Sequence, residues 1–405
     1  MQRRSQFAGQ SLSKGIHRPK KSMHVGISAM HIVPGKSGSH EPYLVNLIRG
    51  LAQLSFSNTI TIFGTERNKE LFRIADGRFE FVSYPDALQY TPARIFFEQF
   101  IIPLEARRRH IDVFHFAGTA SSYFVRPCDV VTIHFDSVTQ RDSISAWHKL
   151  YYDLALRINR RAGLLITPSK SYGRELAALF HYREEQIRVV YHGVNSRFRH
   201  VSAERREEAR RLWRLPDKFI LTVANLRPHK NVPALLRAFS ILLGRHEQDI
   251  FLVIVGNVDA DALRQMVAGV TPNWEEVCAH IKLIPFVSND SLPPIYSLAR
   301  VFVFVSRVET FGLPLVEAMA SGLPIIASNI AVHREILGEH AGLLVSYDEP
   351  EAIAGAIHYV LTKPIAYDIM KDASLARSEE FSWVKSAYAT LRVYEEAFAR
   401  VSRRR

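Results

Sequence analysis

Short, almost wholly apolar runs, separated by amphipathic stretches of helical period, constrain this chain more than any other feature. In the first half they read MHVGISAM, NTITIFG, FEFVSY, IDVFHFA, DVVTIHF, GLLITPS and IRVVYHGV. In the second half they read KFILTVANL, IFLVIVG, IKLIPFV, ARVFVFVS, PIIAS and GLLVS. Unbroken apolar runs of this length suit strands buried on both faces, the condition of parallel sheets covered by helices. The alternation pauses once, at the charge-dense NSRFRHVSAERREEARRLWRLPDK near residue 200. The expectation is an α/β chain of two doubly wound, Rossmann-like domains, residues 23–200 and 201–385, facing each other across a cleft. A last helix, FSWVKSAYATLRVYEEAFARVS, has no strand after it; residues 386–405 are expected to pack back across the domains and end in a basic tail. Such a cleft is a usual place for a ligand.

One stretch of the second half carries polar groups where the pattern needs none. SRVETFGLPLVEAMASGLPIIASN holds two glutamates eight positions apart, Glu309 and Glu317. Pro314 suits the first turn of a helix and Gly322 the residue just past its end. The segment therefore reads strand, loop with Glu309, short helix with Glu317, strand. A glutamate in that loop lies outside the carboxyl end of a strand, where ligands bind in open α/β sheets. The plainer alternatives are a helix-capping acid and an exposed helix acid. Earlier in the same half, VANLRPHKNVPALLRAF places Arg227, His229 and Lys230 between a strand and a helix that starts near Asn231. A helix N-terminus with added cations is a phosphate site, or else a solvated basic loop.

Composition narrows the partners. Lys and Arg number 52 against 40 Asp and Glu, a net charge of +12, and the pI is near 9.7. A basic chain of this kind favours anionic partners: nucleic acid, phosphorylated small molecules or an anionic membrane surface. Its basic residues are scattered over helices (EARRRH, RINRRAG, ERREEARRLWR) with no recognised nucleic-acid module, which argues against nucleic acid. Cys128 and Cys278 stand far apart without metal-ligand spacing, so a reducing cytoplasm is expected and no zinc site. No apolar run approaches the ~18 residues of a membrane span. Residues 1–22 are basic without an apolar core and read as a disordered tail.

The segment ETFGLPLVEAMASGLPIIASN resembles the E-x7-E signature of retaining glycosyltransferases of family four, which have the two-domain GT-B fold. ITPSKSYGRELA, YHGVNSRF, LRPHKNVPALLRAF, LVIVGN, IPFVSNDSLPPIYSLARVFVFVS and FSWVKSA follow the family's order at similar spacing. The resemblance implies that Lys230 and Arg227 hold the diphosphate of a nucleotide-sugar and that Glu309 binds hydroxyls of the transferred sugar. Glu317 would bind the ribose. Gly312 and Leu313, beside Phe311, would lend backbone N–H groups, and Pro285, Phe286 and Val287 would flank the base. The loop HIVPGKSGSHEPYLVNLI resembles the Gly-rich loop that approaches the donor phosphates, with Gly38 for close approach but Ser39 where a second glycine is common.

Other departures are Ala224 and Asn225 in place of an upstream basic residue, and Asn195 in place of an aspartate. His134 follows a buried strand. On its own it reads as structural, and by the resemblance it reaches the transferred sugar as a catalytic residue with Lys230 and Glu309. His31, His40, His115 and His192 read as structural.

The function these residues imply is retaining transfer of a hexose from a nucleotide-sugar to a glycan or lipid-linked acceptor in bacterial polysaccharide or lipopolysaccharide synthesis. Mannose from GDP-mannose is the favoured donor, with UDP-hexoses as the alternative. No metal and no cofactor are expected. Asp259 and Asp261 have the spacing of a metal pair but read as a solvated turn. The setting would be cytoplasmic, peripheral on the inner face of the plasma membrane. A catalytically silent scaffold is the remaining rival, against which the intact Glu309, Lys230 and Glu317 argue.

Overall fold

Each apolar run becomes a parallel strand. The computed structural model describes residues 22–402 except positions 90, 119, 135–145, 246–248, 286, 288 and 289. The first sheet holds β1 (His24–Ser28), β2 (Thr59–Thr65), β3 (Phe79–Tyr84), β4 (Val113–Phe116), β5 (Val130–Thr132), β6 (Leu164–Thr167) and β7 (Ile187–Val189). Their order is β3-β2-β1-β4-β5-β6-β7. The second sheet holds β8 (Phe219–Val223), β9 (Phe251–Val255), β10 (Ile281–Ile284), β11 (Val301–Phe304), β12 (Ile325–Ser328) and β13 (Leu343–Val345), in the order β10-β9-β8-β11-β12-β13. Every position of the inner strands β4, β6, β11 and β12 is buried, so helices cover both faces of each sheet. In each sheet the strand order reverses once, between β1 and β4 and between β8 and β11. Such reversals open a crevice at the carboxyl ends of the strands.

The chain crosses between domains twice. Val190 packs in the first core and Val194 in the second; on the return, Phe381 belongs to the second core and Trp383 to the first. The charge-dense stretch after residue 200 is thus already the second domain, folded as the helix Ala203–Trp213. The last helix, Trp383–Ser402, lays Trp383, Ala387, Leu391, Tyr394 and Ala397 into the first core, a spacing that keeps them on one helix face. It approaches so closely that a Cβ on Gly193 would lie 2.1 Å from the Trp383 backbone nitrogen. His115 fastens it from inside: its Nδ1 is 2.7 Å from the Tyr394 hydroxyl and its Nε2 2.7 Å from the Thr132 hydroxyl. That is the structural role expected of this histidine. The two basic tails, 1–21 and 403–405, lie outside the described residues.

The cleft walls are joined by polar contacts. Ser169 Oγ donates to the Thr310 carbonyl at 2.7 Å. Glu335, on the helix Ala331–Leu337, accepts from the Lys170 and Ser171 backbone N–H groups at 2.7 and 2.8 Å. A carboxylate of the second domain thereby caps the first turn of a first-domain helix, Lys170–Phe180, where unpaired N–H groups and the helix dipole favour an anion.

Candidate active site

Two loops leave the second sheet on either side of its reversal, and the structure ties them together. After β8 the chain makes a tight 3-10 turn, Pro228–Lys230, and Asn231 adopts a left-handed φ of 55° to enter the helix Val232–Gly244. The Asn231 side-chain amide donates to the Val305 and Tyr347 carbonyls at 3.2 and 2.8 Å. The Arg307 N–H donates to the His229 carbonyl at 2.8 Å, so the loop after β11 hangs on the loop after β8. Those anchors bring Lys230 Nζ to 2.5 Å from Glu309 Oε1, with only 18% and 12% of the two side chains exposed. The ammonium also lies 5.2 Å from the Phe304 ring centroid, within reach of its negative face.

The electrostatics follow from burial and this pairing. Burial alone would push the Glu309 carboxyl up, but the Lys230 ammonium beside it holds it below the usual range. Burial, with Lys230 adding to it, pushes His229 down to about 4, leaving it neutral. Behind Glu309, burial likewise lowers His333 to about 4, and its Nδ1 lies 3.0 Å from the Ser328 carbonyl. Lys230 is thus the buried cation and Glu309 the buried anion of this crevice. His333 was not singled out from the sequence; nothing in its spacing marks it as standing behind Glu309.

Glu309 is followed by Gly312, whose φ of 88° lets the chain turn into the helix Leu313–Ala320. The first N–H groups of that helix have no partners within it, as at any helix start. Phe311 is 2% exposed and packs against His192, Tyr191 and Phe381, so its ring is interdomain packing and only its backbone is left for a ligand. Glu317, one turn into the helix, accepts from the Tyr296 hydroxyl at 3.0 Å, and burial pushes its carboxyl up to about 7. It opens into an interdomain cavity of about 280 Å³ that Asn46, Arg49, Asn195, Leu313 and Trp383 also line. Arg227 is exposed at the rim of the Lys230 turn. Pro285 is exposed after β10, Val287 is in the core at 5%, and Phe286 lies outside the described residues. Asp259 caps the helix Ala260–Ala268 by accepting from Ala262 N at 2.8 Å, and Asp261 pairs with Arg264.

Across the cleft, the first domain presents histidines. His134 follows β5 and lies 4.1 Å, ring to ring, from Tyr43 and 5.2 Å from both His40 and His192. His31 is 5.7 Å from His40, and His192 continues the row to Phe311 at 4.9 Å. Burial holds His31 and His134 well below their ordinary pKa, His40 at about 4 and His192 at about 3, so the row is neutral at physiological pH. His31, His40 and His192, expected as structural residues, are buried and form one row with His134. Gly38, at φ 55°, has nothing within 4 Å of where a Cβ would point, so the loop bearing it is open.

Residues 204–377 match the family described as Glycosyl transferases group 1, and residues 40–198 match Glycosyltransferase Family 4. The chain is 28% identical over 243 residues to the serotype-specific mannosyltransferase WbdA of Escherichia coli, covering 60% of this chain but 29% of that relative. It is 28% identical to the O-antigen chain mannosyltransferase B of Escherichia coli, over 58% of this chain and 61% of the relative. This chain therefore spans under two thirds of either. Anabaena Alr3699/HepE, solved with UDP and glucose, superposes with a TM-score of 0.69 at 17% identity, covering 91% of this chain and 98% of that one. The architecture is GT-B. The chain thus carries a Glycosyltransferase Family 4 domain on one side of the cleft and a Glycosyl transferases group 1 domain on the other.

Proposed function

We propose that the chain is a retaining, metal-independent glycosyltransferase that moves mannose from GDP-mannose to a glycan or lipid-linked acceptor of bacterial polysaccharide synthesis. The observation that carries this is the buried Lys230–Glu309 pair at the strand reversal. A diphosphate entering there draws Lys230 away from Glu309. The ammonium then stabilises charge developing on the leaving group, together with the N-terminus of the helix Leu313–Ala320. Glu309, released, accepts hydroxyls of the transferred sugar. His134, neutral, meets that sugar from the other wall. Metal independence is supported by where positive charge is already supplied, and by Asp259 being committed to a helix cap. The two mannosyltransferase relatives favour mannose, and the neighbour holding UDP and glucose keeps UDP-hexoses as the rival donor.

A membrane-surface setting has its own support. Phe96, Phe100 and Leu104 are 60%, 51% and 54% exposed at helical spacing, and Phe124 extends the patch at 5.9 Å from Phe100. Exposed Arg107 and Arg108 follow in the same helix, and Arg161 lies over Tyr123 at 5.0 Å. Apolar groups rimmed by arginine suit the interface of an anionic bilayer. No described helix is long and apolar enough to cross a membrane. The exposed apolar groups and their arginine rim support a reading of the protein as a peripheral enzyme of the cytoplasmic membrane face. Sedimentation with anionic vesicles at low salt should capture it, and equal partition to neutral vesicles would refute this setting. For the activity, a thermal-shift screen of GDP- and UDP-sugars followed by turnover in excess EDTA is the test. Stabilisation by GDP-mannose with turnover retained is expected; loss that Mn²⁺ restores would overturn the mechanism.

A further inference from the structure

The first domain has its own strand reversal, between β1 and β4, and polar groups converge on it as they do in the second. β1 leads into His31 and β4 into Gly118, and the His31 ring fills the space a side chain at 118 would need, 2.8 Å from its Cβ position. The helical segment from Thr91 to Arg108 contributes Arg94 and Glu98, and its middle, Phe97–Ile101, is a π-helix. π turns are rare, occur mostly as single turns inside α-helices, and are frequent at functional sites. Ser28, the last residue of β1, donates to Glu98 Oε1 at 3.3 Å, which fixes Glu98 over the strand end.

These groups are left with unused hydrogen-bonding capacity. Arg94 Nε stands 3.8 Å from Glu98 Oε2, beyond a hydrogen bond, and has no other partner. Both side chains are only about one-fifth exposed, at 22% and 20%. His31 Nε2 and His40 Nδ1 are buried and also without a partner. Burial, with Arg94 adding to it, keeps both imidazoles neutral, so each offers one donor and one acceptor. Tyr151 faces the same cluster: burial and the Glu98 charge push its phenol up to about 12. A partly buried ion pair this loose is unfavourable unless something completes its hydrogen bonds.

We propose that Glu98, Arg94, His31 and His40 bind the terminal sugar of the acceptor, a neutral hexopyranoside held through its hydroxyls. Hydroxyls both donate and accept, so they match a carboxylate, a guanidinium and two neutral imidazoles together. A phosphate or acidic sugar would face the Glu98 charge. The row His31–His40–His134 then leads from this site to the wall opposite Glu309. The inference rests on the glycosyltransferase reading and adds the acceptor class and its residues.

The test titrates methyl α-hexopyranosides (gluco, manno and galacto) into protein saturated with GDP or UDP, read by ligand-observed NMR, with hexose 6-phosphates alongside. Wild type should bind a neutral glycoside in preference to its phosphate. Glu98→Gln, nearly isosteric, and Arg94→Lys should each weaken that binding at least fivefold, with nucleotide affinity and melting temperature near wild type. Unchanged glycoside binding in both variants, absence of glycoside binding by wild type, or preference for the phosphate overturns the inference. Loss of nucleotide binding by wild type would instead overturn the function it rests on.

Discussion

The two strand reversals share a topology and are finished differently. At β8/β11, Lys230 and Glu309 are in direct contact at 2.5 Å, and the loops carrying them are joined through Asn231 and the His229 carbonyl. At β1/β4, Arg94 and Glu98 stand 3.8 Å apart and two neutral imidazoles have unpartnered nitrogens. A tight pair on rigid loops suits one fixed chemistry, a nucleotide diphosphate leaving group. Loose, unsatisfied groups suit a ligand that completes them and whose identity can vary between relatives.

Breaking the tight pair should have the largest effect. Lys230→Ala leaves Glu309 buried without its cation, a loss of about 3–5 kcal/mol for such pairs. Calorimetric melting should show it above the ordinary carboxyl pKa, because Glu309's pKa is depressed. The pair's contribution is lost in wild type as pH falls through that depressed value, so the gap between the two proteins should close in acid. Turnover should fall on the order of 10²–10³-fold, the scale for removing one transition-state stabiliser. Equal melting temperatures at neutral pH would mean the pair is no tighter than the Arg94–Glu98 pair.

Glu317 offers a smaller effect with a distinct pH signature. Its pKa is raised to about 7 in the folded chain, so its stabilising form is the protonated one. That stability is complete below the ordinary carboxyl pKa and lost as pH rises through about 7. Glu317→Gln should therefore melt a few degrees above wild type at pH 8, the two converging near pH 5, on the scale of ~1 kcal/mol or more. A pH-independent difference would show that Glu317 is solvated rather than enclosed by the interdomain cavity.

Asp259→Ala should have the smallest effect. Losing the helix cap costs about 1 kcal/mol, and turnover should not change. Abolished turnover with the fold intact would reveal a role beyond capping and undermine the metal-independent account.

How much of this was legible in the sequence depended on how local the signal was. The inner strands were, because a strand buried on both faces must be apolar along its length, as in VFVFV before Glu309. Glu309 and Lys230 were legible because each follows a strand and precedes a helix. The interdomain crossing itself, around YHGV, is apolar and reads as a strand end, whereas the charged stretch that marks the boundary near residue 200 is a helix of the second domain. The acceptor-side cluster left no trace. Glu98 meets Ser28 across 70 positions, and a π turn has no residue signature. His31 and His40 read as structural because a lone histidine near a strand usually is; only the fold lines them up with His134. Phe311 sits within the right motif, yet its ring serves packing.

The central claim is that Lys230 holds the diphosphate and Glu309 the sugar. Titration calorimetry of GDP and UDP against wild type, Lys230→Ala and Glu309→Gln, paired with turnover of the intact donor, tests it most directly. Lys230→Ala should lose at least tenfold in nucleotide diphosphate affinity. Glu309→Gln should bind the nucleotide diphosphate as tightly as wild type or tighter, since Lys230 is freed. It should nevertheless lose turnover by about 1.5–3 kcal/mol, a charged hydrogen bond's worth. Glu309→Gln that weakens nucleotide diphosphate binding as much as Lys230→Ala, or that turns over like wild type while folded, would contradict the division of roles.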